Sequence, residues 1–377
     1  MSEQKVWTRR EFVNLMGKGS GIIMGMNLFN IPGFDKVFAQ AVTEVPVLWL
    51  QAGACSGCSV SLLNIKSPTI QDVLLGEVVP GKHVSLLWHP NISAAQGDQV
   101  LEIIENLKNG EPGSFILAME GAISTKDDGI YCEFCEKDGK GITALQHLLD
   151  LAPKAMAILS VGTCASFGGI PAAGSNPTGC KPVYKVLEDY NINTPVVNIP
   201  GCPPHPDWFV GTVATVLIAG LGAVEVDEHK RPKAFYGKLI HDNCPRRGQF
   251  DQGNFAQDFG DDGCLYKLGC KGPVTHSDCP KRQWNSGVNW PIGSGHPCIG
   301  CVEPFFPYKD NMYEQVQVQF ATAPSTYPGI INQKETRVDP VVTGLVGAAA
   351  GAAIGAGVVA ARKNKAAKEA KEEENGS

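Results

Sequence analysis

The chain has 377 residues, 43% of them hydrophobic and 19% charged, a globular composition with length enough for two domains and a sizeable core. A net charge of -6 argues against a nucleic-acid partner. Thirteen cysteines are many for this length, and an odd number cannot all pair in internal disulfides.

Residues 1–41 read as an export signal. Thr8–Val13 is T-R-R-E-F-V, an uncharged stretch follows over Gly19–Phe34, and Ala39–Ala41 offers small residues for cleavage. The paired Arg9 and Arg10 suit a twin-arginine (Tat) signal; the alternative is an amphipathic first helix with two solvated arginines. The Tat route carries folded proteins. Thiols can therefore bind metal in a reducing cytoplasm before they meet an oxidising compartment.

Residues 45–225 alternate strand and helix patterns. Buried-strand runs occur at Val45–Leu50, Val84–Trp88, Phe115–Met119, Ala155–Val161 and Val196–Ile199. Helical patterns occur at Gln99–Leu107, Ile142–Leu151, Val183–Asp189 and Trp208–Ala219. This order predicts an α/β domain with a parallel sheet, flavodoxin-like in class. Cys55 and Cys58 (G-A-C-S-G-C-S) follow the first strand, Cys164 (G-T-C-A-S-F-G-G) the fourth and Cys202 (P-G-C-P-P-H-P) the fifth. Ligands of open α/β sheets bind beyond the carboxyl ends of the strands, so these four thiols are expected at one edge. Four gathered thiolates suit a [4Fe-4S] cluster or a structural zinc ion. Glycines beside them let the backbone approach closely.

Periodicity fades over residues 226–327. His241–Cys301 holds six cysteines in 61 residues, among Gly, Pro, Asp and Asn. Such a segment cannot bury enough apolar surface to offset its own ordering entropy, so thiolate-bound metal or disulfides must hold it. Val341–Ala361 is 21 uncharged residues, long enough to span hydrocarbon, with small residues at Gly347, Gly351 and Gly355 suited to close helix packing. Arg362, Lys363 and Lys365 follow, so a transmembrane helix here puts residues 362–377 in the cytoplasm and the body in the periplasm. The alternative is an Ala/Gly linker.

The motifs G-A-C-S-G-C-S, G-T-C-A-S-F-G-G-I, P-G-C-P-P-H-P and P-I-G-S-G-H-P-C-I-G-C resemble the small, electron-transferring subunit of [NiFe] hydrogenases, and the layout resembles the membrane-anchored periplasmic uptake enzymes. The resemblance implies three clusters. Cys55, Cys58, Cys164 and Cys202 match the ligands of a proximal [4Fe-4S] cluster. His241, Cys244, Cys264 and Cys270 match those of a distal [4Fe-4S] cluster. Cys279, Cys298 and Cys301 match those of a medial [3Fe-4S] cluster, with Pro291 where a fourth cysteine could stand. It further implies H2 oxidation at a nickel-iron centre in a large partner subunit. Electrons would pass to a membrane acceptor, cytochrome b or a ferredoxin-like protein with an integral membrane subunit, and on to the quinone pool. The enzyme would sit on the periplasmic face of the inner membrane as a dimer of heterodimers.

In oxygen-tolerant members two extra cysteines feed a modified proximal cluster. Cys132 stands in one such place and Gly57 in the other, so an ordinary proximal cluster is expected. Cys132 and Cys135 (Y-C-E-F-C-E) otherwise read as two thiols in a loop, and Cys180 has no assigned role. Arg246 and Arg247 offer hydrogen bonds near the distal site or form a solvated pair. Glu120 serves proton movement, or is a satisfied buried carboxylate. Two rival readings remain: a cluster subunit of another quinone-linked complex, which would lack the H-x-x-C and H-P-C-I-G-C module, and a zinc or disulfide binding protein.

Overall fold

The structure, a computed structural model, describes residues 43–75, 77–79, 82–111, 113–307 and 312–318. The export signal at 1–41, the anchor at 341–361 and the tail at 362–377 lie outside the described residues. No helix among the described residues is long and apolar enough to cross a membrane.

Six strands form the main sheet: β1 (Thr43–Gln51), β2 (Glu77–Val79), β3 (Lys82–Trp88), β4 (Ile116–Glu120), and two numbered β8 (Ala157–Val161) and β10 (Val196–Ile199) for their places in the chain. Their order is β10-β8-β4-β1-β3-β2, parallel except for β2 at one edge. Counting only the parallel strands, this is the 2-1-3-4-5 order of flavodoxin-like sheets, whose switch point lies between β1 and β4.

The reason is burial on both faces. β4 and β8 are buried at every residue, which is why they read as nearly continuous apolar runs, broken only by Ser160 and by Glu120 at the end of β4. From β1, Val47 and Trp49 face one core with Trp208 and Val213, while Leu48 and Leu50 face the other with Ile104 and Leu148. The helices follow from the same pattern. Helix α1 is Gly57–Leu63, α2 is Ile70–Leu75 and α3 is Asp98–Lys108, which buries Val100, Leu101, Ile104 and Leu107 at helical spacing. Helix α4 (Ala144–Leu151) starts two residues later than its pattern suggests. Thr143 caps it, accepting the Gln146 N–H at 3.1 Å, and the residues before it are taken by strand β7 (Lys140–Thr143). Next come α5 (Gly162–Phe167), α6 (Val183–Asp189) and α7 (Pro206–Ala219); α7 starts at a proline whose missing N–H needs no partner there.

Y-C-E-F-C-E is not a loop. Strand β6 (Glu133–Lys137) pairs with β7 as a hairpin, and Cys135 sits opposite Ile142. Strands β5 (Ile123–Ser124) and β9 (Cys180–Lys181) pair beside it.

Beyond residue 225 the regular elements are short: α8 (Lys233–Tyr236), α9 (Arg247–Asp251), α10 (Cys279–Arg282) and several 3-10 turns. The core nevertheless runs on without a break. Tyr236, Ile240, Trp290, Ile292 and Val302 pack in the same cluster as Ile199 and Trp208, and the Tyr236 hydroxyl donates to the Pro200 carbonyl at 2.7 Å.

One buried group makes stability depend on pH. The His147 ring is fully buried, and neither ring nitrogen has a hydrogen-bond partner. Burial, and then the Lys108 charge, push its pKa down from 6.5 to about 4. The unfolded chain therefore takes up a proton below the usual histidine value while the folded chain does not. The stabilisation is complete above pH 6.5 and is lost as pH falls toward 4, by about 3 kcal/mol in all. Denaturant unfolding of His147→Leu between pH 7 and pH 4 should show a pH-dependent loss smaller by about that amount.

Candidate functional site

The first thiol set lies at the carboxyl edge of the sheet. The turn after β1 carries Cys55, and Cys58 enters α1 directly behind it. Cys164 lies in α5, immediately after β8, and Cys202 lies between β10 and α7. Burial, then Glu120, then Cys164, Cys55 and Cys202 raise the Cys58 thiol well above its ordinary range, so all four are neighbours. Burial and then Cys202 push Cys164 up to about 11. Cys55 and Cys202 are exposed, and the set opens on the surface. Glycines keep the space around the sulfurs clear. A Cβ on Gly162, where φ is +88°, would collide with Cys58 Sγ, and one on Gly169 would lie 2.9 Å from Cys164 Sγ.

The second set is His241, Cys244, Cys264 and Cys270. They line one cavity together with Arg246, Arg247, Tyr266, Gly272 and Ile292. His241 is buried, its Nε2 has no hydrogen-bond partner, and Phe250 holds the ring edge to face at 4.5 Å. A buried nitrogen facing nothing is costly in a protein interior. Burial and then the Arg247 charge lower its pKa to about 4, so at neutral pH the imidazole keeps a free lone pair. Burial first, and then Cys270 and Cys264, raise the Cys244 thiol to about 11 against the opposing backbone bond from Arg246. An unpaired imidazole nitrogen and three crowded thiols fit a bound metal group, which would draw off the thiol protons.

The third set is Cys279, Cys298 and Cys301. Burial raises Cys279 to about 11 and, with Cys279 as the next cause, Cys301 to about 12. Ser277 Oγ lies 3.0 Å from Cys279 Sγ, and the Gly300 N–H donates to Cys298 Sγ at 3.4 Å. Pro291 is exposed; its carbonyl accepts the His296 N–H at 2.9 Å, closing a turn that ends just before Cys298.

The three sets stand in a row. The Cys301 thiol is influenced by Cys202 of the first set, and Thr163, next to Cys164, donates its hydroxyl to the Cys301 carbonyl. At the other end Cys298 is influenced by Cys270, and the Lys271 N–H donates to the Cys298 carbonyl at 2.7 Å. The third set is thus the middle one in space. Among the described residues no three His, Cys, Asp or Glu side chains converge as the ligands of a single metal ion must.

The surrounding charges are largely paired. Glu120 is buried and accepts from Trp49 Nε1 (3.0 Å), Gln51 Nε2 (3.0 Å), Ser59 Oγ (2.5 Å) and the N–H groups of Cys58 (3.2 Å) and Ser59 (3.4 Å). It is a satisfied carboxylate, and it pins α1 behind Cys58. Arg246 donates to the Gly263 carbonyl at 2.6 Å, beside Cys264, and buried Arg247 pairs with Asp251 at 2.9 Å, so neither is a solvated cation. Cys132 does not join the first set. After burial, its thiol is influenced by Cys180 on β9, and its backbone bonds to Gly129 and Ala144 just ahead of the β6–β7 hairpin. Glycines abut three of the first set's sulfurs: Gly57 at Cys55, Gly162 at Cys58 and Gly169 at Cys164. Sequence reasoning missed Thr163 and Ser277, each within two residues of a cysteine of the site, and it did not show that Gly162 makes room for the distant Cys58 sulfur.

Residues 236–314 match the family described as the C-terminal part of the NiFe/NiFeSe hydrogenase small subunit. Residues 55–216 match the one described as NADH ubiquinone oxidoreductase, 20 Kd subunit. The chain is 42% identical over 312 residues to the periplasmic [NiFeSe] hydrogenase small subunit of Desulfomicrobium baculatum, covering 80% of this chain and 96% of that one. It is 38% identical over 334 residues to the hydrogenase-2 small chain of Escherichia coli, covering 86% of each. The quinone-reactive Ni/Fe-hydrogenase small chain of Wolinella succinogenes is 38% identical over 311 residues, or 81% of this chain and 83% of that one. Among solved structures, a chain of recombinant [NiFeSe] hydrogenase from Desulfovibrio vulgaris Hildenborough is similar at a TM-score of 0.68 and 44% identity, covering 74% of this chain and 99% of that one. The match over 236–314 spans the H-x-x-C and H-P-C-I-G-C module, the part that separates the two redox readings.

Proposed function

Because the chain belongs to the small-subunit family of NiFe/NiFeSe hydrogenases, we propose that its three thiol sets hold two [4Fe-4S] clusters and one [3Fe-4S] cluster. It is the electron-transfer subunit of an enzyme that acts on H2 together with a large subunit. Cys55, Cys58, Cys164 and Cys202 hold the proximal [4Fe-4S] cluster. His241, Cys244, Cys264 and Cys270 hold the distal [4Fe-4S] cluster. Cys279, Cys298 and Cys301 hold the medial [3Fe-4S] cluster, and Pro291 supplies no fourth thiolate.

The observation that carries this is the row. Cys202 lies beside Cys301 and Cys298 beside Cys270, which is the order that a relay needs. Bound clusters supply one-electron carriers there. The chain's own residues space the carriers, exclude water and set the charge around each. His241 offers a neutral ligand where the other sites offer only thiolates, and the Arg247 charge beside it outweighs that of Asp251, its ion-pair partner. Both raise the potential of that site. The exposed rim at Cys55 and Cys202 faces the large subunit, which carries the nickel-iron centre, and the His241 site faces the electron acceptor.

The paired Arg9 and Arg10 support Tat export. The uncharged stretch 341–361 followed by Arg362 and Lys363 supports an anchor in the inner membrane with the body in the periplasm. On this reading the acceptor is a membrane protein, cytochrome b or a ferredoxin-like protein with an integral subunit, that feeds the quinone pool. The assembly is a dimer of heterodimers.

The test is metal analysis and EPR of the anaerobically purified heterodimer. About eleven irons per small subunit and a [3Fe-4S] signal in the oxidised protein are expected. About seven irons or fewer in the native complex, or a full iron load without that signal, contradicts the assignment.

A further inference from the structure

We propose that the Thr163 hydroxyl couples the first thiol set to the middle one, as a hydrogen-bonded path by which an electron leaves the group at Cys164 for the group at Cys301, beside the link from the Cys202 backbone to the Cys301 thiol. The proposal rests on the cluster reading above.

Thr163 is the middle residue of G-T-C and is 1% exposed. Its N–H donates to the Gly201 carbonyl at 3.0 Å, and its Oγ1 accepts the Gly201 N–H at 2.9 Å. The hydroxyl has one proton, and it goes to the Cys301 carbonyl. Cys164 follows Thr163, and Cys202 follows Gly201. One side chain therefore touches the backbone of two loops of the first set and one loop of the middle set. Electronic coupling falls more steeply across a van der Waals gap than along covalent and hydrogen bonds, so this contact lies on a favoured route. Both junctions also have a backbone group bonded to a sulfur across them, Cys202 to the Cys301 thiol and Cys298 to the Cys270 thiol. At the second junction the Lys271 N–H adds a backbone contact to the Cys298 carbonyl. At the first the added contact is the Thr163 hydroxyl, a side chain that can be removed by substitution.

In the step itself one electron leaves the group held at Cys164, which is oxidised, and enters the group held at Cys301, which is reduced. No bond is made or broken and no proton moves. The electron originates in H2 oxidation on the large subunit.

Thr163→Val keeps the shape and removes the hydroxyl; Thr163→Ser keeps the hydroxyl. Wild-type and variant heterodimers are checked for iron and for the potential of each cluster. They are then mixed rapidly with H2, and loss of the oxidised middle cluster's EPR signal is followed by freeze-quench. Thr163→Val should be several-fold slower at unchanged potentials, and Thr163→Ser should match wild type. A fully loaded Thr163→Val protein at the wild-type rate overturns the proposal, and so does Thr163→Ser as slow as the valine variant. If Thr163→Val fails to load, Thr163→Cys, whose thiol bonds more weakly, must show the slowing in its place. Wild-type protein without three clusters contradicts the cluster reading; loaded protein with no slowing contradicts this inference alone.

Discussion

Arg231→Met should destabilise the heterodimer's small subunit by about 3–5 kcal/mol and empty the middle cluster site first. Arg231 and Glu303 form a buried ion pair at 3.0 Å, with side chains 2% and 5% exposed. Arg231 also pairs with Asp227 at 2.8 Å and donates to the Val302 carbonyl at 3.1 Å. Glu303 accepts the His276 N–H at 2.6 Å. Arg231 therefore ties the Asp227–Arg231 segment to the segment that carries Cys301, and Glu303 in turn holds the segment that leads into Cys279. Methionine fills much of the arginine's volume but leaves the buried Glu303 carboxylate without its guanidinium, with only the His276 N–H at 2.6 Å and ring at 3.2 Å against it, and a buried charge that loses its main counter-charge is the costly case. Denaturant unfolding and iron counting check this. The double variant Arg231→Met/Glu303→Leu should recover much of the lost stability, because replacing both members of a buried pair with apolar residues is often close to neutral. A single variant within about 0.5 kcal/mol of wild type, with full iron, shows that the pair carries no weight.

The sheet could be read from the sequence because its strands are buried on both faces. Ile116–Glu120 and Ala157–Val161 have no exposed residue, so the apolar run is the strand. Strand ends in turn located the first thiol set, since each cysteine sits where an open sheet binds its ligand. Where a segment is half exposed, the same reasoning weakens. Glu133–Lys137 is a strand with mostly polar side chains at the surface, held by its hairpin partner rather than by apolar burial, and no alternation betrays it. Gly57–Leu63 and Gly162–Phe167 are too short for helical periodicity to appear, yet they carry Cys58 and Cys164. Beyond residue 225 the cysteines could be picked out from sequence but not ordered in space. The third set to appear along the chain sits between the other two, and this follows from long-range contacts such as Thr163 with Cys301. Arg231 carries no local signal, and Thr163, though it stands beside Cys164 in the G-T-C motif, gives no sign of its link to Cys301, because the partners that matter lie 71 and 138 residues away.

His241→Leu is expected to cut electron delivery to an external acceptor by about 100-fold or more while leaving the chemistry at the nickel-iron centre intact. Changes just outside a metal's ligands already cost about 10–100-fold, and removal of a ligand should cost at least as much. Leucine suits the space under Phe250, which lies 4.5 Å from the imidazole centroid, so gross unfolding is not expected. What is lost is Nε2, the buried nitrogen with no protein partner. The remaining Cys244, Cys264 and Cys270 thiols are raised by burial and would hold the distal group poorly without a fourth ligand. H2/D2O exchange, which needs only the large subunit's centre, should stay within about twofold of wild type, whereas reduction of a dye that takes electrons from the far end should collapse. His241→Cys should regain iron, with a lower potential at that site because a thiolate replaces a neutral ring. If His241→Leu keeps its full iron and reduces the dye at the wild-type rate, the unpaired imidazole is a feature of packing, and the electron exit must be sought at another edge of the row.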